Sequence, residues 1–297
     1  MSKVDEIFEG ITDRIITMLE QGIAPWRKPW RTSDHAMPYN AFTGREYRGM
    51  LNTFILGFAG QAFGCNAWVG FDQCKRMGGS VKGQKSTWIL APLIKKDRDA
   101  NGDEQTRVLG FRGVYVFNVA QCEGITLPTI EERTHNANAE AEALWASFPN
   151  PPALLHGGSR ACYSMLDDAI RMPKPESFDT PSDYYGVLFH EATHATGAEK
   201  RQNRPGVAQF DRFGSHQYSQ EELVAEMGSA YLLALSGMDP REEQNAAYIG
   251  HWLDVIKGDR DVVRKAAVEA NRATRLIAAR YMETRDAAPE DEATAAA

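Results

Sequence analysis

The chain has 297 residues, 43% of them hydrophobic and 25% charged, and a formal net charge of −7. This is ordinary for a soluble globular protein with ample core, and the length suits one or two domains. No apolar run is long enough to span a bilayer and the N-terminus opens on charge without an apolar leader, so no membrane partner and a cytoplasmic location are expected.

The net charge hides a split. Between Pro25 and Lys96 there are eleven Lys/Arg against three acids, a local excess of +8, so the remaining residues sum to −15. A basic block inside an acidic protein points to a polyanion-binding half beside a half with another job. The four cysteines, Cys65, Cys74, Cys122 and Cys162, show no C-x-x-C spacing and read as buried small hydrophobes in a reducing compartment.

Ile7, Phe8, Ile11, Ile15, Ile16 and Leu19 recur at helical spacing, predicting an amphipathic helix from Val4 to Gln21. The next stretch, Pro25-Trp26-Arg27-Lys28-Pro29-Trp30-Arg31, cannot be helical around its two prolines and alternates indoles with cations. Residues Pro38 to Gly49 read as an aromatic, basic, turn-rich loop, and Met50 to Phe63 as a buried helix broken near Gly57 or Gly60. A short helix is expected over Phe71 to Met77. Strands are expected over Ser86 to Ile94 and Val108 to Val119, as a hairpin tipped by a polar surface loop from Asp97 to Thr106.

The first domain is expected to end at residue 128. The second runs over 129–284, followed by a mobile tail over 285–297. It reads as a helix over Ala137 to Trp145, short strands near Leu154 to Gly158 and Ala161 to Tyr163, and an irregular stretch from Arg171 to Tyr184. Helices should then cover the His190 region, Gln220 to Leu235, Gln244 to Lys257 and Asp261 to Tyr281, with a polar loop over Arg201 to Ser219. The fold class is α+β, with an N-terminal α+β domain and a mainly helical second domain holding a small sheet.

The most informative stretch is His190-Glu191-Ala192-Thr193-His194. On a helix the two histidines lie about 40° apart on one face, close enough to share a metal. Glu191 then projects towards a metal-bound water as general base. The alternative is a pair of satisfied histidines on a half-buried helix. A third ligand is sought on the later helix, where Glu222 and Glu226 stand one turn apart among apolar residues. Glu222 is preferred as the ligand and Glu226 as the carboxylate that orients a ligating histidine, with the reverse left open. His156, His216 and His251 compete as ligands but have no matching pattern. Tyr218 is a weaker candidate, as donor to an oxyanion. Zn2+ suits two imidazoles and a carboxylate, and Mn2+ is an alternative.

In the basic block, Trp26, Trp30, Tyr39, Phe42 and Tyr47 interleave with Arg27, Lys28, Arg31, Arg45, Arg48, Lys82 and Lys85. Aromatic faces that stack unpaired bases, with cations along the phosphates, are what single-stranded DNA asks for. Trp68 and Trp88 lie inside apolar runs and read as core.

Taken together, Pro25–Trp30, Asn40–Gly49, Val81–Lys85, His190–Gly197 and Tyr218–Glu226 resemble the ArdC family of plasmid anti-restriction proteins, over nearly the whole chain. The resemblance implies an N-terminal single-stranded-DNA-binding domain joined to a zincin-like metallopeptidase domain. It also implies a role in shielding incoming conjugative DNA from host restriction. Two other functions stay open: a non-enzymatic DNA-coating protein with a structural metal site, and a protease acting on restriction enzymes or other DNA-bound proteins.

Overall fold

In a computed structural model of the chain, residues 3–22, 37–47, 49–98, 104–126, 136–209, 216–238 and 246–286 are described. They fall into two compact units, one within Met1–Asp13 and Thr32–Ile130, the other within Arg14–Arg31 and Glu131–Ala297. The amphipathic helix α1 (Lys3–Glu20) therefore contributes to both units, which a single boundary at residue 128 does not capture.

In the first unit, β1 (Tyr39–Asn40) runs parallel to β2 (Ala67–Gly70). The long strand β4 (Glu104–Asn118) lies antiparallel between β2 and β3 (Thr87–Arg98), so the sheet order is β1-β2-β4-β3. Side chains alternate across a strand, and both faces carry core. Ala67, Val69 and Phe117 join Tyr39, Val81, Val119, Cys122 and Cys74, the last from α3 (Phe71–Arg76). On the opposite face Trp68, Ile89 and Val116 meet Ile55 and Leu56 of α2 (Met50–Gln61). Trp68 is fully buried, as its apolar run suggested.

Two expectations fail here. Helix α2 is unbroken, because Gly60 provides a close approach rather than a kink: a Cβ there would come within 2.8 Å of the Cys65 carbonyl oxygen. The hairpin ladder also continues to the pair Arg98–Glu104, through residues read as loop. Main-chain pairing does not require apolar side chains, so polarity alone misplaced the strand ends. Cys74 and Cys122 are buried as expected, whereas Cys162 is exposed.

The second unit contains a three-stranded sheet of β5 (Ala153–His156), β6 (Cys162–Ser164) and β7 (Ala169–Met172), ordered β5-β7-β6. Its central strand β7 was not anticipated. Only four residues long, it lies between an Asp-Asp pair and Pro173, yet Ile170 and Met172 are fully buried. The unit also holds α4 (Ala137–Ala146), α5 (Pro181–Thr196), which packs on β6 and β7, α6 (Pro205–Ala208), α7 (His216–Ser236), α8 (Ala246–Gly258), α9 (Val262–Ile277) and α10 (Ala279–Asp286). The stretch read as irregular up to Tyr184 already contains the start of α5. Thr180 caps it in a capping box with Asp183, and Pro181 opens the first turn. The expected last helix is divided by Ala278, which leaves helical geometry, and residues 285 and 286 still belong to α10. No helix among the described residues is long and apolar enough to cross a membrane.

Helices α5 and α7 meet closely at Gly228, where an added Cβ would lie 2.6 Å from the Thr193 hydroxyl oxygen. Nearby, the Ser229 hydroxyl donates to the Gly186 carbonyl at 2.7 Å. This near approach sets the histidines of α5 opposite the glutamates of α7.

Candidate metal centre

His190 and His194 stand one turn apart on α5, and their Nε2 atoms lie 3.1 Å from each other. From α7, Glu222 brings Oε2 to 3.5 Å from His190 Nε2 and Oε1 to 3.5 Å from His194 Nε2. Ligands about 2.0–2.2 Å from a tetrahedral cation sit about 3.3–3.6 Å apart along the tetrahedron's edges. The two carboxylate oxygens thus each face one imidazole, and one ligand atom from each of the three side chains lies within 4.8 Å of the others, close enough to share one cation. Among the described residues they are the group of His, Cys, Asp or Glu so arranged.

The electrostatics fit the same description. Burial alone would lower the His190 pKa, but the hydrogen bond to Glu222 and the charges of Glu226, Glu222 and Glu191 outweigh it and raise the value to about 9. Glu222 responds in the opposite sense. Burial would raise its pKa, yet His190, the charge of His194 and a hydrogen bond from Tyr218 bring it down to about 2. Without a cation the negative charge collected here favours a proton on His190.

Behind His194 lies a buried pair that sequence reasoning missed. Glu221 Oε1 is 3.2 Å from His194 Nδ1, and Arg204 grips the same carboxylate through Nε–Oε2 at 2.9 Å and Nη2–Oε1 at 2.6 Å. Arg204 also donates to the Thr196 hydroxyl and the Thr193 carbonyl, both at 2.7 Å, tying the loop after α5 back onto that helix. Burial opposes ionisation of Glu221, but Arg204 and His194 hold its pKa below the ordinary value. The bond to a candidate ligand's second ring nitrogen, looked for from Glu226, is thus made to His194 by Glu221. Alternate positions on α7 point differently: Glu222 meets the Nε2 atoms, Glu221 is turned to the Nδ1 side, and Glu226 lies within electrostatic reach of His190. Arg204 stands 17 residues before Glu221 in a stretch read as polar loop, and nothing in the residue order marks it as that glutamate's partner.

Glu191 Oε2 accepts a hydrogen bond from the Tyr163 main-chain N–H of β6 at 2.7 Å. That edge strand is anchored by Asp168, which accepts from the Tyr163 hydroxyl and from Arg201, both at 2.8 Å. Tyr218 directs its hydroxyl to Glu222. Of the competing histidines, His156 pairs with the Tyr184 hydroxyl at 2.9 Å and His251 with the Ser219 hydroxyl at 2.6 Å. The His216 side chain lies outside the described residues.

The residues selected for DNA binding divide. Trp26, Arg27, Lys28, Trp30, Arg31 and Arg48 lie outside the described residues. Tyr39 is buried in the core. Phe42 is half-buried and packs against the same core. Tyr47 is also turned inwards: its hydroxyl accepts from Asn40 and burial raises its pKa to about 12. These rings fill the core because the 40–47 turn is pulled inward by Asn40, which also bonds Gln73 and accepts from the amides of Phe42 and Thr43. Arg45, Lys82 and Lys85 are exposed.

Residues 5–117 match the N-terminal domain of anti-restriction factor ArdC, and residues 139–269 match a zincin-like metallopeptidase family. The metal-free crystal structure of the antirestriction ArdC protein from the R388 plasmid aligns with a TM-score of 0.71 and 33% identity, over 93% of this chain and 98% of that one. The chain belongs to the ArdC family. The Mn(II)-bound structure of the R388 ArdC protein aligns with a TM-score of 0.69 and 31% identity, over 95% of this chain and 99% of that one. The y4eC protein of Sinorhizobium fredii is 33% identical across 90% of both chains. A DNA primase TraC of Escherichia coli is 31% identical over 92% of this chain but only 27% of the primase, so the ArdC-like region is a fraction of that relative.

Proposed function

We propose that this ArdC-family chain binds single-stranded DNA and protects incoming conjugative plasmid DNA from host restriction, using a metallopeptidase-type centre in its second unit. The observation that carries the reading is the convergence of His190, His194 and Glu222, with Nε2 atoms 3.1 Å apart and a different Glu222 oxygen 3.5 Å from each. Two imidazoles and a carboxylate around an open position suit Zn2+ best, and the Mn(II)-bound R388 relative makes Mn2+ the alternative. A cation held there supplies Lewis-acid activation. Glu191 is the general base that takes a proton from the attacking water, and the Tyr163 main-chain N–H, bound to its Oε2, positions that carboxylate. Glu221 and Arg204 hold His194 in the tautomer that leaves Nε2 free to ligate. Restriction enzymes or other DNA-bound proteins are the partners proposed.

A second reading is a DNA-coating protein whose metal is structural. It is favoured by the bond that already engages Glu191. Comparing wild type with Glu191→Ala in a restriction-protection assay separates the two. Loss of protection with retained metal binding is expected. Equal protection by the variant would leave the coating reading in its place.

A further inference from the structure

The β3–β4 hairpin carries rings where none were sought. Tyr115 is 49% exposed, Phe111 53% and Leu109 61%, while Phe117 on the same strand is core. Residues at every second position share a face, so Tyr115 and Phe111 look the same way, separated by Gly113, which raises no side chain between them. Across the ladder their partners are Trp88 and Pro92. The Trp88 indole, half-buried, meets Tyr115 edge-on with centroids 4.1 Å apart, bracing that ring. Phe71, 47% exposed, follows the Gly70–Val116 pair, and the Lys75 ammonium sits 4.4 Å from its ring centroid.

The segments that bear these rings are mostly basic. Residues 71–96 and 107–117 hold eight Lys/Arg against the single acid Asp72. An apolar protein surface gains nothing from such cations, whereas a polyanion with unstacked rings uses both features. A duplex keeps its base faces covered and would not reach the rings.

We propose that Tyr115 and Phe111, with Trp88 bracing Tyr115, form the platform on which unpaired bases stack. This rests on the single-strand-binding reading and moves its aromatic component from Tyr39 and Tyr47 to the hairpin.

The test is the anisotropy of a labelled oligo-dT titrated with full-length wild type, Tyr115→Leu, Phe111→Leu and Tyr115→Phe. Leucine keeps apolar bulk but removes the ring face, so each leucine variant should weaken Kd by about fivefold or more. Tyr115→Phe should bind as wild type does, with thermal unfolding unchanged in all three. Leucine variants that bind like a DNA-binding wild type overturn the platform and leave the single-strand reading standing. A Tyr115→Phe loss equal to that of Tyr115→Leu overturns stacking in favour of a hydroxyl contact. A wild type that does not bind the oligonucleotide removes both readings.

Discussion

Replacing Arg204 by Met removes the cation from a pair whose side chains are only 4% and 5% exposed. Glu221 would lose hydrogen bonds at 2.9 and 2.6 Å and keep the His194 contact. The loop after α5 would also lose its ties to Thr196 and Thr193. Breaking a buried ion pair from one side costs about 3–5 kcal/mol, because the remaining charge stays buried. The double variant Arg204→Met/Glu221→Met replaces both partners by apolar groups and should regain most of that loss. Metal affinity should behave differently. Removing the group that orients a ligating histidine typically costs about 10–100-fold, and restored packing does not return it. Denaturant unfolding of the metal-free protein and calorimetric titration with Zn2+ read the two quantities separately. A single-variant loss under about 1 kcal/mol, or a double variant with wild-type metal affinity, would refute the claim that the pair positions His194.

Gly228→Ala places a methyl 2.6 Å from the Thr193 hydroxyl oxygen and 2.7 Å from its Cγ2, so α5 and α7 must separate. Overpacking of this kind costs about 1–3 kcal/mol; unfolding curves should show it, together with weaker metal binding, and Thr193→Ala should partly relieve both. In the metal-free protein, the His190 pKa raised to about 9 stabilises fully below the unfolded histidine value of about 6.5, and that contribution fades as pH rises through about 9. Glu222, lowered to about 2, adds stability above the unfolded carboxylate value that is lost only as pH falls through about 2. Melting temperatures of the apo protein should therefore decline from pH 6.5 to 9. The gain on adding Zn2+ should grow over the same interval, since the metal requires neutral imidazole.

The elements of the second unit were legible where composition and periodicity agree: the helix bearing His190 and the apolar helix bearing Glu222 could be read from residue types alone. What could not be read is the identity of each carboxylate's partner. Glu221 and Glu222 are adjacent, and only the rotation of α7 against α5, set by the Gly228–Thr193 approach, decides which meets Nε2 and which meets Nδ1. Strand β7 escaped because four residues are too few to show a period; its place is fixed by pairing with β5 and β6 and by packing against α5. Residue type also misjudged the aromatic block. Tyr39 and Tyr47 look like ligands beside arginines, yet the Asn40-centred hydrogen bonds turn them inwards. Tyr115 and Phe111 look like strand core, yet each is about half exposed.

Calorimetric titration of Zn2+ and Mn2+ into wild type, His194→Ala, Glu222→Ala and Glu226→Ala bears most directly on the centre between α5 and α7. One equivalent should bind to wild type, His194→Ala and Glu222→Ala should lose it, and Glu226→Ala should keep it with smaller changes in affinity. Undiminished binding in both His194→Ala and Glu222→Ala, or loss in Glu226→Ala alone, would contradict this ligand set.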